Sequence, residues 1–226
     1  LVVGAPFSPV GGPRFLGDVD NQTVRNGLIS GLEQITEQVN GSGLHILFST
    51  ADEANWLERS GYIQRETFQF QWQNEGYESF DDFLQRFRSK RRNQIRRERK
   101  RACSNGGSVR VVEGQDIRMS DIEQMYGFYA NTIDRFYSGQ KYLNLKFFKA
   151  LFDTMADKIC LIQAVQNGEV IAGTFNLVSD GVFYGRYWGC AQEVRDLHFE
   201  VCCYYPVQLA IERGWSRVEL GAGGQH

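Results

Sequence analysis

Apolar residues recur along this chain with two periods, and each change of period marks a new element. LVVGAPF (1–7) is a continuous apolar run that predicts a buried strand, and SPVGGPRFL is a turn-rich loop whose prolines and glycines fix its path. Residues 20–39 place Leu28, Leu32, Ile35 and Val39 on one helical face. GSG stops that helix, LHILFST predicts a strand, and Ala51–Ser60 predicts a short helix closed by Gly61. YIQRETFQFQW reads as an extended strand or a bent pair.

Residues 79–104 differ in kind. Ser79 is a candidate N-cap with Asp81 and Asp82 in the first turn, and Phe80, Phe83, Leu84 and Phe87 form an apolar stripe. From Arg88 onward Lys90, Arg91, Arg92, Arg96, Arg97, Arg99, Lys100 and Arg101 cover every face, relieved by Ile95 and Glu98. Such a density of like charge repels itself. Two uses would offset that cost: ion pairs with the acidic remainder of the chain, or contact with a phosphorylated ligand or RNA backbone through bidentate arginines. Lys90, Arg91, Arg92, Arg96 and Arg97 are the polyanion-binding candidates; with no DNA-reading motif around them, DNA is not the expected partner.

VRVVEG then predicts a strand, and 121–136 and 146–155 predict amphipathic helices, the first burying Ile122, Met125, Tyr126, Tyr129 and Ile133. Three antiparallel strands follow, with Asn167-Gly168 and Asp180-Gly181 as hairpin turns and VFYGRYWGC (182–190) as the last. AQEVRD is a polar loop, and LHFEVCCYYPVQLAIERGW carries Leu197, Val201, Tyr204, Tyr205 and Leu209 on helical spacing, bordered by Gln208 and Glu212. Pro206 inside it requires a kink or a late start, Arg213-Gly214 ends it, and SRVELGAGG is a strand running into glycines. Strand, loop, helix and parallel strand make a crossover unit, and ligands favour the carboxyl ends of such strands. Arg186, Tyr187, Trp188, His198, Glu200, Tyr204, Glu219 and His226 sit at those ends, with Asp134 and Arg135 where the 121–136 helix meets its loop. Strand, Gly/Pro loop, helix and strand in 1–50 echo the same order.

The length of 226 residues suffices for a proper core, and a net charge of −2 provides no global basic field, so polyanion affinity must be local. No apolar run approaches the roughly 18 residues of a membrane span. Five cysteines with no C-x-x-C pair point to a reduced, cytoplasmic chain without a metal site. The immediate start on a strand at Leu1 and the end just after a glycine run suggest a fragment of a longer protein.

GRYWGC (185–190), LHFE (197–200), CYY (203–205) followed by AIERG, ELGAGGQH (219–226), APFSPVGGPR (5–14) and KRRNQIRRERKR (90–101) resemble the FemAB-like family of peptidoglycan biosynthesis or recognition. That family is related to the Fem aminoacyltransferases and, more distantly, to the GNAT N-acyltransferases. The resemblance spans nearly the whole chain. It implies an α/β fold of tandem GNAT-like halves with mixed, mostly antiparallel sheets. Residues 1–78 would be the C-terminal part of a first half, 79–104 a joining basic helix, and 105–226 a second half lacking its last strands. It also implies transfer of an acyl or aminoacyl group to an amine, with a cell-wall precursor as acceptor and no tightly bound cofactor. The alternative is a binding module that recognises a cell-wall fragment or RNA without turnover.

Amine acylation needs substrate alignment, a route for the amine's proton and donors for the developing oxyanion. Glu219, His198 and His226 are the candidate proton acceptors; Arg186, Tyr187, Trp188, Glu200, Tyr204, Asp134 and Arg135 are candidate substrate contacts. His198 and Glu200, two apart, diverge by roughly 200° on a helix and cannot form a facing dyad there. Cys190 has no nucleophile elbow around it. GNAT enzymes cradle the CoA pyrophosphate with a Q/R-x-x-G-x-G/A loop, and CAQEVRDLHFE lacks those glycines. That favours aminoacyl-tRNA over acyl-CoA as donor, with the choice between them open. Related sequences place an acidic residue before the histidine that ends this chain and a lysine after it; here Gln225 precedes His226.

Overall fold

The computed structural model describes residues 1–4, 10–136, 139 and 141–221. They form two compact units, Leu1–Phe68 and Gln69–His226.

The first unit pairs β1 (Val2–Val3) with β2 (His45–Ile46) in parallel and adds α1 (Gln22–Gln38) and α2 (Ala51–Arg59). Asn21 caps α1 by accepting from the Thr23 N–H. The buried side of α1 holds Ile29 and Thr36 beside Leu28 and Leu32, whereas Ile35 and Val39 are exposed, so the apolar stripe is rotated from the expected one. Thr36 tolerates burial because its hydroxyl donates to the Leu32 carbonyl at 2.7 Å. Thr50 and Glu53 form a capping box at α2. Glu53 is only 4% exposed, yet its carboxylate accepts from the backbone N–H groups of Arg14, Phe15 and Thr50. That bond set anchors the proline- and glycine-rich loop, and Arg14 completes it by donating to the carbonyls of Val10, Gly12 and Leu47.

The second unit is built on a six-stranded sheet in the order β3-β8-β7-β6-β5-β4. The strands are β3 (Gln71–Gln73), β4 (Ser108–Glu113), β5 (Ile159–Gln166), β6 (Glu169–Ser179), β7 (Val182–Cys190) and β8 (Arg217–Glu219). All neighbours are antiparallel except β7 and β8, so the sheet is mixed, as expected. Asn167-Gly168 and Asp180-Gly181 all have positive φ, the I′ geometry that matches strand twist in two-residue hairpins. Because β3 pairs with β8 and buries Trp72 against Tyr77 and Phe83, residues 69–78 belong to the second unit. The boundary therefore falls before Gln69 and not after residue 78.

The basic stretch is two helices, not one: α3 (Phe80–Leu84), capped by Ser79, and α4 (Ser89–Ala102). Tight i→i−3 bonds from Gln85, Arg86 and Phe87 close α3 before α4 begins. The sheet faces carry two cores. α5 (Met119–Phe136) and α6 (Leu145–Met155) pack Met125, Phe128, Tyr129 and Phe148 on Leu161, Phe175 and Tyr187. The opposite face, with Ile162, Phe183 and Val218, lies under the helix that follows β7. That helix is α7 (Leu197–Phe199), a π turn (Glu200–Tyr204) and α8 (Tyr205–Glu212). The Tyr205 N–H bonds to the Glu200 carbonyl, five residues back. The wide turn absorbs Pro206, whose missing N–H would break an α-helix, without ending the helix. The extra residue also shifts the downstream face, burying Val207, Ala210 and Ile211 while Gln208 bonds Glu212 outside.

Candidate functional site

The alternation of β7 is broken once. Phe175 pairs with Tyr187 and Asn176 with Gly185, which makes Arg186 the extra residue of a β-bulge. Phe183, Trp188 and Cys190 therefore face the α8 core. Tyr184 and Tyr187 share the opposite face, and Gly189 meets α5 so closely there that an added Cβ would lie 2.0 Å from the Phe128 carbonyl oxygen. Tyr187, expected to contact substrate, is packed against Tyr129 and Phe148 at 5.3 and 5.6 Å, and burial pushes its phenol up to about 12.

β7 and β8 stay paired through Tyr184 and Glu219, so these two lie side by side on the same face. Glu219 is largely buried, with Oε1 3.0 Å from Arg217 Nε. That nitrogen has no aligned acceptor, so the contact is a charge pair and not a well-directed hydrogen bond. Arg186 stacks over Tyr184, 5.4 Å from its centroid, and gives one hydrogen bond to the Gly185 carbonyl. Burial lowers its pKa, opposed by the nearby Tyr187 and Glu219.

Beyond the carboxyl end of β7 lies a cleft of about 660 Å³. Trp188, Cys190, Glu193, Val194, Arg195 and His198 line one side; Asn131, Thr132, Arg135 and Phe136 of α5 line the other. Thr132 donates to the Trp188 carbonyl at 3.0 Å, and Arg135 pairs with Glu193 across the opening. His198 packs edge-on to Trp188 at 5.2 Å. Burial raises the Cys190 thiol against the opposing pull of Arg135, so nothing here activates it as a nucleophile.

The remaining candidates are engaged elsewhere. Glu200, expected at the substrate, is 2% exposed and receives both Nε and Nη2 of Arg99, at 2.8 to 3.1 Å. Arg99 also donates to Gln208 and stacks over Phe80. Tyr204 is buried beside Leu84 and Ile95 and donates to Glu98, so its phenol is pushed up by burial and by that carboxylate. Asp134 pairs with Lys141. Glu219 and His198 lie on separate features, the β7–β8 face and the cleft, and His226 lies outside the described residues.

The cations of α4 and of the segment leading into it divide into two sets. Arg86, Arg96, Arg99 and Arg101 pair with Glu75, Asp81, Glu200 and Asp196. Arg92 bonds Gln85, so of the two uses read from the sequence the internal pairing is seen on this segment. Lys90, Arg97 and Lys100 meet no carboxylate among the described residues and, with Asn93, fall on one exposed helical face opposite Ile95, Glu98 and Ala102. Arg88 and Arg91 are likewise exposed and unpaired by carboxylates among the described residues. Arg101 and Arg99 fasten this helix to Asp196 and Glu200, which flank His198 at the cleft wall. The sequence reading missed Asp196, Asn131, Thr132 and Glu193. Asp196 had one local signal, since a left-handed residue (φ 66°) just before a helix suits Asp, Asn or Gly.

Among the described residues, no three His, Cys, Asp or Glu side chains gather to hold a metal ion, and no helix is long and apolar enough to cross a membrane.

The fold is similar to that of several solved structures of low sequence identity. FemX covers 98% of this chain and 74% of its own, with a TM-score of 0.55 at 12% identity. The C-terminal DUF2156 domain of a putative lysylphosphatidylglycerol synthetase from Agrobacterium fabrum covers 89% and 60%, with a TM-score of 0.54 at 11% identity. L-PGS from Bacillus licheniformis covers 87% and 56%, with a TM-score of 0.52 at 14% identity. The chain thus spans 60% and 56% of the length of the last two, and the likeness is one of fold. No curated protein sequence matches it. The FemAB-like family, described by peptidoglycan biosynthesis/recognition, matches residues 1–226, and the chain belongs to that family.

Proposed function

We propose that the chain is an N-acyl- or aminoacyltransferase of the FemAB-like type, acting in the cytoplasm, that passes its group to an amine of a cell-wall precursor. One observation carries the reading most: a helix whose outer cations meet no carboxylate among the described residues is fastened by Arg99–Glu200 and Arg101–Asp196 beside a cleft at the end of a parallel strand pair. A polyanionic donor held on Lys90, Arg97 and Lys100 would present its acyl end beside that cleft. Glu219 would accept the amine's proton from the β7–β8 face, and the bulge at Arg186 interrupts the ladder where an oxyanion would need donors. The loop 191–196 lacks the glycines that would cradle a CoA pyrophosphate, which supports an aminoacyl-tRNA donor. The likeness in fold to FemX and to a putative lysylphosphatidylglycerol synthetase is in keeping with an aminoacyl group as the one transferred.

The test is tRNA binding by fluorescence anisotropy across a salt series, for the wild type and for Lys90→Glu/Arg97→Glu/Lys100→Glu. The reading expects a loss of at least about tenfold and a salt slope smaller by about 3. Equal affinity and slope would remove the polyanion from this helix.

A further inference from the structure

Several arginines of the second unit have a carboxylate of their own: Arg99 has Glu200, Arg101 has Asp196, Arg213 has Glu113 and Arg217 has Glu219. Arg186 does not. Its guanidinium spends one N–H on the Gly185 carbonyl and rests on the Tyr184 ring, with no carboxylate in ion-pair reach among the described residues. A guanidinium has five N–H donors, and a partly desolvated one left without an anion is costly. The acid nearest by register is Glu219, beside Tyr184 on the same face, and it is already paired with Arg217. The bulge that places Arg186 interrupts the ladder for this one residue. On the same face the neighbours Gln71 and Gln73 of β3 are exposed, while the reverse side of these strands carries Trp72, Phe183 and Val218 in the core. The polar side of β7, β8 and β3 is therefore built differently from an ordinary core face.

We propose that Arg186, backed by Tyr184, is the recognition residue of an anion site on the β7–β8 face, taking a carboxylate or phosphate oxyanion of a small ligand. The guanidinium fork suits either group in two-pronged geometry. The aromatic ring beneath holds the fork in place while leaving donors unspent. The site is distinct from the cleft, whose lining does not include Arg186, and from the outward face of α4. It deepens the transferase reading, which places Glu219 and the bulge of this same face in the chemistry, but anion binding at Arg186 is measured apart from turnover and from tRNA binding on α4, so the two can fail separately.

The experiment is a thermal-unfolding titration of the whole chain with sodium acetate and with sodium phosphate, each against sodium chloride at equal ionic strength. The wild type, Arg186→Gln and Lys90→Gln/Arg97→Gln/Lys100→Gln are compared. A ligand of the folded state raises the midpoint by mass action. The wild type and the triple variant should respond to at least one anion, and Arg186→Gln should respond with affinity at least about tenfold weaker. A response to acetate alone assigns a carboxylate ligand; a response to phosphate alone assigns a phosphate ester. Without added anion, Arg186→Gln should unfold no lower than the wild type, because it removes an unpaired charge. Should that variant fold poorly, the Arg186 Nε–H resonance of the wild-type protein gives the answer directly, shifting as anion is added. A response retained in Arg186→Gln, a response lost only in the triple variant, or an unmoved Nε–H resonance would overturn the proposal.

Discussion

Replacing Glu200 by Gln tests how the basic helix is held. The substitution keeps shape and one acceptor but removes the counter-charge of Arg99, whose side chain is 21% exposed against 3% for Glu200. Breaking a buried pair from one side costs about 3–5 kcal/mol, because the other charge is left uncompensated. Arg99 retains Gln208, Phe80 and some solvent, which places Glu200→Gln near the lower end, about 3 kcal/mol. Arg99→Met strands the more deeply buried carboxylate and should cost more, near 5 kcal/mol. The double variant Arg99→Met/Glu200→Gln should recover about 2 kcal/mol or more of the summed loss. Urea unfolding followed by tryptophan fluorescence, to which Trp72, Trp188 and Trp215 contribute, measures all three, and tRNA affinity measured in parallel should fall in both single variants. If both singles cost less than about 1 kcal/mol, as an exposed pair does, or if the losses simply add, the pair does not rivet α4 to the cleft wall.

Other outcomes follow from the same structure. Asp81→Asn, which breaks the exposed pair with Arg96, should change stability by no more than about 1 kcal/mol in the same urea assay. Gly189→Ala drives a methyl onto the Phe128 carbonyl and should cost about 3 kcal/mol or more, lowering the thermal midpoint by roughly 6–12 °C. Tyr187 keeps its proton to about 12 when folded, while an unfolded tyrosine loses it near 10. The folded state then holds more protons, so stability should fall between pH 10 and 12, and a Tyr187→Phe variant should lose less of it in that window when thermal midpoints are compared.

Local signals carried most of the fold. The Asn-Gly and Asp-Gly turns, the Ser79 cap and the change to helical spacing at Leu197 each have a mechanism confined to a few residues. What escaped depends on partners distant in sequence. Nothing local says that Trp72 pairs across to Val218, 146 residues on, which is why the unit boundary was misplaced. Pro206 signalled a disturbed helix, but only the bond from Tyr205 to Glu200 shows the π turn that shifts its buried face. The site was read least well where charge was judged without its counter-charge. Glu200 looked like a ligand residue until Arg99, 101 residues earlier, was found bound to it, and the side of the strand that Tyr187 takes was not legible because the bulge at Arg186 could not be seen in the alternation. The basic run itself was legible, though its division into paired and unpaired cations was not.

The most direct measurement is single-turnover transfer of a radiolabelled amino acid from charged tRNA to an amine acceptor, run beside the same reaction with acyl-CoA. Cell-wall precursors carrying free amines serve as acceptors, and Glu219→Gln serves as the control. Transfer from charged tRNA that is lost in Glu219→Gln, with tRNA binding retained, is the predicted result. Turnover with acyl-CoA alone, or tight tRNA binding with no transfer to any amine, would contradict it: the first would make the chain an ordinary N-acyltransferase, the second a binding module.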